Sequence, residues 1–404
     1  MNTFSVLRTP KTIIYGRNSF QKAGLESTQY GKKVLIISDT IMKDLGYVKE
    51  AEKLIHECGG ESSVYLGVVS EPTDLFVHEA LEQFEKDNCD VIMALGGGSC
   101  IDTAKAVAVL AANGGYIGDY MGGKKIADQA PIPLIAIPTT AGTGSEATDV
   151  TIITNTNNDV KMMIKQPAFM PACAIIDPIL TISSPKQITA ATGIDALSHA
   201  LEAYISRKAH PMTDMLALSA IKNILPHMRN VYEDGHHMQS REAMSLGSLQ
   251  GGMAFSNASV CLVHGMSRPI GALFHVPHGI SNAMLLPAVL EFSMDHCIER
   301  LADVGRIFSE DKMSDKEAAQ HAIDEIKALC QELNIPNLKG WGIHQQAFEK
   351  AIPKMAYDAI ASGSPGNNPK VPTLEEITEL YKQSYTYSFH STKLAAGGEK
   401  YENN

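Results

Sequence analysis

Apolar and polar positions follow one pattern up to about residue 185 and a different one after it. In the first part, short apolar runs alternate with amphipathic stretches. Thr12–Tyr15 reads as an entry strand ending at Gly16. Lys33–Ser38 reads as a buried strand closed by Asp39, with a helical stretch to about Cys58 that Gly59 and Gly60 stop. Ser62–Leu66 is a further strand, and Thr73 is placed to cap a helix running to about Asp87. Val91–Leu95 is a strand broken by Gly96-Gly97-Gly98-Ser99, and Ile101–Ala112 is a helix stopped by Asn113-Gly114-Gly115. Pro133–Ile137 and Ala172–Ile176 complete the strands. This alternation predicts a mainly parallel sheet covered on both faces.

After Pro185 the segments lengthen, become rich in Ala, Met, Leu and Ser, and lose strand-like runs. Gln239–Asn257 carries many small residues and suits a buried helix packed closely on its neighbours. Ser314 with Glu317, and Thr373 with Glu376, form capping boxes that open helices to about Leu333 and Tyr385. The expected organisation is an α/β domain over residues 1–185 and an all-α domain over 186–404, with a loose tail from about Ala395 to Asn404.

Composition narrows the function classes. A chain of 404 residues exceeds one ordinary core, which favours two domains. A net charge of −11 argues against a nucleic-acid or anionic-membrane partner. The seven cysteines are scattered without a Cys-x-x-Cys, against a zinc ribbon, a thiol-redox motif or a disulfide framework. Their odd number fits free thiols in a reducing compartment. The first residues lack the apolar core of a signal peptide, and no apolar run reaches membrane-span length. The expected setting is cytoplasmic.

Four stretches carry candidate chemistry. Gly96-Gly97-Gly98-Ser99 lies between a strand and a helix, where glycines allow close approach and free N–H groups attract a pyrophosphate. A plain strand-to-helix turn explains it as well. Pro138–Glu146 follows another strand and is dense in hydroxyl and N–H donors, suiting either a phosphate or ribose contact or an ordinary polar loop. Asp39, at a strand end, is placed to accept from an adenosine ribose and repel a 2′-phosphate, or merely to cap a turn. Asp195 and His199 stand one helical turn apart on one face. With His264 and His278 they offer one carboxylate and three imidazoles, a set suited to Fe²⁺, Zn²⁺ or a similar divalent ion. The pair alone is common on helices that bind nothing.

Taken together, the motifs resemble those of the iron-containing (group III) alcohol dehydrogenases. The matching stretches are Gly96–Lys105 (Gly-Gly-Gly-Ser-x-x-Asp-x-x-Lys), Pro138–Glu146, Gly193–His199 (Gly-x-Asp-Ala-Leu-x-His) and His264–Gly279. Order and spacing agree from about residue 5 to 385. The resemblance implies a Rossmann-like, dinucleotide-binding α/β domain, a helical metal-binding domain and a cleft between them. It implies metal ligation by Asp195, His199, His264 and His278, and NAD contacts at Asp39, Gly97, Gly98, Ser99, Asp102, Thr139, Thr140, Thr143 and Lys161. It further implies hydride transfer between NAD and a short alcohol, diol or aldehyde, with Fe²⁺, Zn²⁺ or another divalent ion, in a homodimer or larger homo-oligomer.

The departures concern roles. Arg268 stands where several members carry a histidine four residues after the third ligand. Arginine does not shuttle protons near neutral pH, but it suits an anionic substrate group or a phosphate. His275, three residues before His278, is then the candidate for proton relay. Glu71 replaces a common asparagine and would further disfavour NADP if it faced the cofactor. Two other activities compete: a carbon–oxygen lyase of the dehydroquinate synthase type that uses NAD transiently, and a metal-dependent hydrolase.

Overall fold

Alternate residues of the apolar runs enter two separate cores, one on each face of a sheet. The computed structural model describes residues 4–158, 160–309 and 312–389. The expected tail at 395–404 lies outside them. The first elements are β1 (Thr12–Tyr15), α1 (Ala23–Thr28), β2 (Lys33–Ile37), α2 (Thr40–Asp44), α3 (Tyr47–Glu57), β3 (Glu61–Tyr65), α4 (Asp74–Lys86) and β4 (Val91–Gly96). Next come α5 (Gly98–Asn113), β5 (Leu134–Pro138), β6 (Val150–Asn155), β7 (Val160–Lys165) and β8 (Cys173–Ile176). Six strands pair in the order β1-β8-β5-β4-β2-β3, each pair parallel. Leu35, Ile37, Ile92 and Ala94 enter the core with α4 and α5. Val34, Ile36, Val91 and Met93 enter the core with α3. That is the period-two alternation of a sheet buried on both sides.

The sheet order creates a switch point. Its strand β2 leads outward to β3, whereas β4 leads the other way to β5. In open α/β sheets the crevice at the carboxyl ends of such strands is the ligand position. Asp39 stands two residues past the end of one of these strands and Gly97 directly follows the other.

Three local expectations change. The helical stretch before Cys58 is two helices, because Gly46 takes φ +84° between them. The α5 helix begins at Gly98, three residues before Ile101, so the glycine loop forms part of its first turn. Between β5 and β8 lies an antiparallel hairpin, β6 with β7, that the pattern did not predict. Its strands mix Thr, Lys and Met with isoleucines and lack a continuous apolar run.

The remaining elements are helices: α6 (Lys186–Ile205), α7 (Pro211–Glu233), α8 (Met238–Ala258), α9 (Leu262–Phe274), α10 (His278–Ser293), α11 (Ile298–Phe308), α12 (Asp315–Glu332), α13 (Gln345–Ala361) and α14 (Leu374–Tyr385). Both predicted capping boxes are present, at Ser314 with Glu317 and at Thr373 with Glu376. Packing divides the chain into two compact units, Met1–Ala200 with Met215–Asn257 and Leu201–Asp214 with Ala258–Asn404. The first holds the sheet. The second holds α9 to α14, where Tyr381 fixes α14 to α9 by donating to the Met266 carbonyl at 2.7 Å. The end of strand-forming sequence near 185 and the division by packing are different boundaries. Among the described residues, no helix is long and apolar enough to cross a membrane.

Candidate cofactor loop and metal centre

At the end of β4 the chain turns through Gly97, which caps α5 without a side-chain acceptor. The first-turn N–H groups and the positive end of the helix therefore face outward, the usual receptor for a phosphate. The loop after β5 lies beside this turn. A Cβ at Gly98 would sit 2.8 Å from Thr143 Cγ2, so only glycine allows this approach. Thr139 donates its N–H to the Gly96 carbonyl at 3.0 Å, and Thr140 is nearest to Gly97. Asp39 accepts the Met42 N–H at 2.9 Å, capping α2 with one oxygen. Its other oxygen lies 3.7 Å from Cys100 Sγ, on the first turn of α5. Five of the sequence candidates, Asp39, Gly97, Gly98, Thr140 and Thr143, thus gather around one helix start, with Ser99 on its first turn.

A buried polar network holds the two loops together. Lys105 is fully buried and donates to Ser145 Oγ at 2.9 Å, Thr148 Oγ1 at 2.8 Å and the Val150 carbonyl at 2.7 Å. Burial lowers its pKa to about 8, opposed by the charges of Asp102, Glu146 and Asp149. Asp102 accepts from Ser145 Oγ at 2.5 Å and from the Ile152 N–H at 2.9 Å. Both its oxygens serve the protein, tying α5 to the threonine loop and to the β6–β7 hairpin. Burial raises the Glu146 carboxyl from 4.5 to about 7. Lys161, on β7, pairs with Glu71 at 2.6 Å, so these two sequence candidates meet each other.

The metal candidates lie on three helices. Asp195 and His199 stand on α6, with His199 Nε2 4.0 Å from Asp195 Oδ1. Phe255 stacks on the His199 ring at 4.2 Å, and the Gly142 carbonyl lies 3.4 Å from Nδ1, so that Nε2 is the atom this ring would offer to a metal. His264 is on the first turn of α9 and His278 opens α10, with ring centroids 5.2 Å apart. Glu202 accepts from His264 Nδ1 at 2.5 Å and from the Val263 N–H at 2.6 Å. That bond fixes the tautomer and again presents Nε2. Asn282 Nδ2 lies 3.1 Å from His264 Nε2 and 3.3 Å from His278 Nε2, marking where the two rings converge. One ligand atom from each of Asp195, His199, His264 and His278 lies within 4.8 Å of the others. One carboxylate oxygen and three imidazole nitrogens, without thiolate, fit a first-row divalent ion.

Sequence reasoning passed over Glu202 and Asn282. The signal was there: Asp195, His199 and Glu202 stand at i, i+4 and i+7, and His278 and Asn282 at i and i+4. Arg268, one turn after His264, is held by Ser364 Oγ at 3.2 Å. Burial lowers its pKa, and the charge of Glu202 raises it again. His275 ends α9 in the left-handed conformation, φ 54°, and is exposed. It makes no side-chain hydrogen bond among the described residues.

Comparison with known proteins covers nearly the whole chain. Residues 10–178 match the family model described as iron-containing alcohol dehydrogenase. Residues 189–385 match that of the C-terminal part of the Fe-containing alcohol dehydrogenase family. The NAD-dependent methanol dehydrogenase of Bacillus methanolicus is 35% identical over 93% of this chain and 98% of its own length. A solved 1,3-propanediol oxidoreductase superposes with a TM-score of 0.90 at 35% identity, over 95% of this chain and all of that one. Sulfoacetaldehyde reductase from Bifidobacterium kashiwanohense, solved in complex with NAD⁺, gives a TM-score of 0.85 at 28% identity over 96% of this chain and all of that one.

Proposed function

The chain belongs to the iron-containing alcohol dehydrogenase family and is an NAD-dependent oxidoreductase of alcohols and diols, and we propose that Asp195, His199, His264 and His278 hold its catalytic metal. The observation that carries this reading is the mutual approach of those four ligand atoms. The relatives named above are dehydrogenases and reductases, which favours this chemistry over the lyase and the hydrolase.

In the reaction the alcohol loses a hydride from its carbinol carbon to the nicotinamide ring and a proton from its oxygen, giving the aldehyde. A divalent ion in this ligand set supplies Lewis acidity to the substrate oxygen. The protein's own groups do the rest. Glu202 holds His264 in one tautomer, and Gly142 does the same for His199. The first turn of α5, with Gly97, Gly98 and Ser99, receives the pyrophosphate on N–H groups. Thr139, Thr140 and Thr143 line the neighbouring side of the cofactor. Asp39 favours NAD over NADP by its charge. Asp102 acts on this site through Ser145 and the hairpin, not through a free oxygen. Lys161 reaches the cofactor as a pair with Glu71. His275, exposed at the end of α9, passes the proton to solvent, so His275→Ala lowers turnover and shifts its pH profile without loss of metal.

Iron is the proposed metal, with zinc or another divalent ion as a substitute. Residues 1–185 serve the dinucleotide and 186–404 the metal. The proposed setting is a cytoplasmic homodimer or larger homo-oligomer, checked by sedimentation of the purified protein. The decisive assay follows NADH formation from ethanol, 1,3-propanediol and longer alcohols, before and after chelation and on re-addition of Fe²⁺ or Zn²⁺. Metal-dependent NADH supports the reading. Alcohol-independent turnover, or activity indifferent to chelator, overturns it.

A further inference from the structure

The α9 helix presents two functional side chains on one face, His264 and, one turn later, Arg268. The surroundings of Arg268 are unusual for a guanidinium. Its Nε is fully screened from solvent and has no hydrogen-bond partner among the described residues. Its side-chain hydrogen bonding there is limited to Nη1 on Ser364 Oγ, a neutral acceptor, at 3.2 Å. The carboxylate whose charge acts on it, Glu202, is already committed through both oxygens to Val263 N–H and His264 Nδ1. Five donors in a fixed fork thus have one hydroxyl between them. The guanidinium is half-buried and, among the described residues, no carboxylate is hydrogen-bonded to it, which leaves it open to an anionic partner.

The position also selects the kind of anion. An i to i+4 step advances about 6 Å along a helix. A molecule whose oxygen is at the site built around His264 would reach Arg268 with a group two or three bonds from its carbinol carbon. The phosphates of the dinucleotide have their own receptor in the backbone N–H groups at the start of α5. Ser364 is backed by Pro365, which packs so closely on α9 that a Cβ at Gly265 would come within 2.8 Å of it. The wall that carries the hydroxyl is therefore firm, and it aligns the guanidinium.

We infer that Arg268 is a specificity residue that binds an oxyanion on the substrate, so that the preferred substrates are short alcohols or aldehydes carrying a carboxylate, sulfonate or phosphate two or three bonds from the reacting carbon. This rests on the dehydrogenase reading given above. The test compares neutral and anionic partners on the metal-loaded protein: 1,3-propanediol with 3-hydroxypropanoate, and ethanol with 2-hydroxyethanesulfonate and 2-hydroxyethyl phosphate. The wild type should favour at least one anionic member by about tenfold or more in kcat/KM. Arg268→Gln should lower the anionic-to-neutral ratio by roughly 10- to 100-fold, the scale of a charge-assisted hydrogen bond, and Arg268→Lys should restore part of it. Metal content and melting temperature, measured on each variant, separate this from misfolding.

Calorimetric titration with 3-hydroxypropanoate, 2-hydroxyethanesulfonate and 2-hydroxyethyl phosphate reads the anion site without turnover. Binding that Arg268→Gln abolishes supports the assignment even if no alcohol in the panel is oxidised, an outcome that would count against the dehydrogenase reading alone. Oxidation of the neutral alcohols with no anionic preference overturns the assignment and leaves the dehydrogenase standing. A variant that raises the KM for NAD with an unchanged anionic-to-neutral ratio makes Arg268 a cofactor contact and also overturns it.

Discussion

The first turn of α5 and the helices that carry the histidines solve recognition by opposite means. The cofactor loop is built from backbone. Gly97 and Gly98 contribute by having no side chain, and the N–H groups of a helix start provide the attraction. The proposed metal centre is built from side chains, and two of its histidines are held in place by neighbours. Glu202 orients His264, and Phe255 and Gly142 orient His199. A backbone site fails when atoms are added. A side-chain site fails when they are removed or when their supports are changed.

That contrast can be broken most severely at the ligands. Asp195→Ala should lose the metal and lower kcat/KM by about 10³-fold or more, since Lewis-acid stabilisation is worth several kcal/mol. Metal analysis beside steady-state kinetics checks this, and a variant that keeps both removes Asp195 from the ligand set. Next comes a support. Glu202→Gln keeps the shape but weakens the charge on His264 Nδ1, and metal affinity should fall roughly 10- to 100-fold in chelator competition. An unchanged affinity would make Glu202 a packing residue only.

The opposite kind of change tests the loop. Gly98→Val adds atoms where Thr143 already stands within 2.8 Å of a Cβ. NAD binding should weaken by roughly tenfold or more, the equivalent of about 1–3 kcal/mol of overpacking. Metal content should stay unchanged, and a variant that loses metal as well would show that the two sites are not independent.

The smallest effect concerns pH. Glu146 has a folded pKa of about 7 against 4.5 for the free group, because burial disfavours its charge. Between those values the folded state holds more protons than the unfolded one, so stability falls as pH rises from 4.5 towards 7. Glu146→Gln should flatten that part of the profile in denaturant titrations. An unaltered slope would place the proton elsewhere in the network around Lys105.

Legibility in the sequence followed range. Short apolar runs and glycine turns placed the parallel strands to within a residue or two, because strand burial and chain reversal are encoded by neighbours. The hairpin β6–β7 escaped because its strands alternate polar with apolar residues imperfectly. Glu202 was legible at i+7 from Asp195, but local spacing alone does not tell a buried helical glutamate from a surface one, and this one is buried. Asp102 was read as a cofactor contact. Its engagement by Ser145 and Ile152, more than forty residues away, leaves no trace in local spacing.

By itself the sequence determined the strand–helix alternation, the glycine turn at a helix start, the helical pair Asp195 and His199, and a family resemblance carried by four motifs in register. Each depends on contacts within a few residues, where covalent geometry sets which side chains share a face. Only the tertiary structure decided which nitrogen of His264 is presented, that Asp102 is spent on the protein, and that Arg268 is half-buried with a hydroxyl in place of a carboxylate. Those facts depend on residues brought together from distant parts of the chain by packing, and burial there sets how strongly each charge needs a partner.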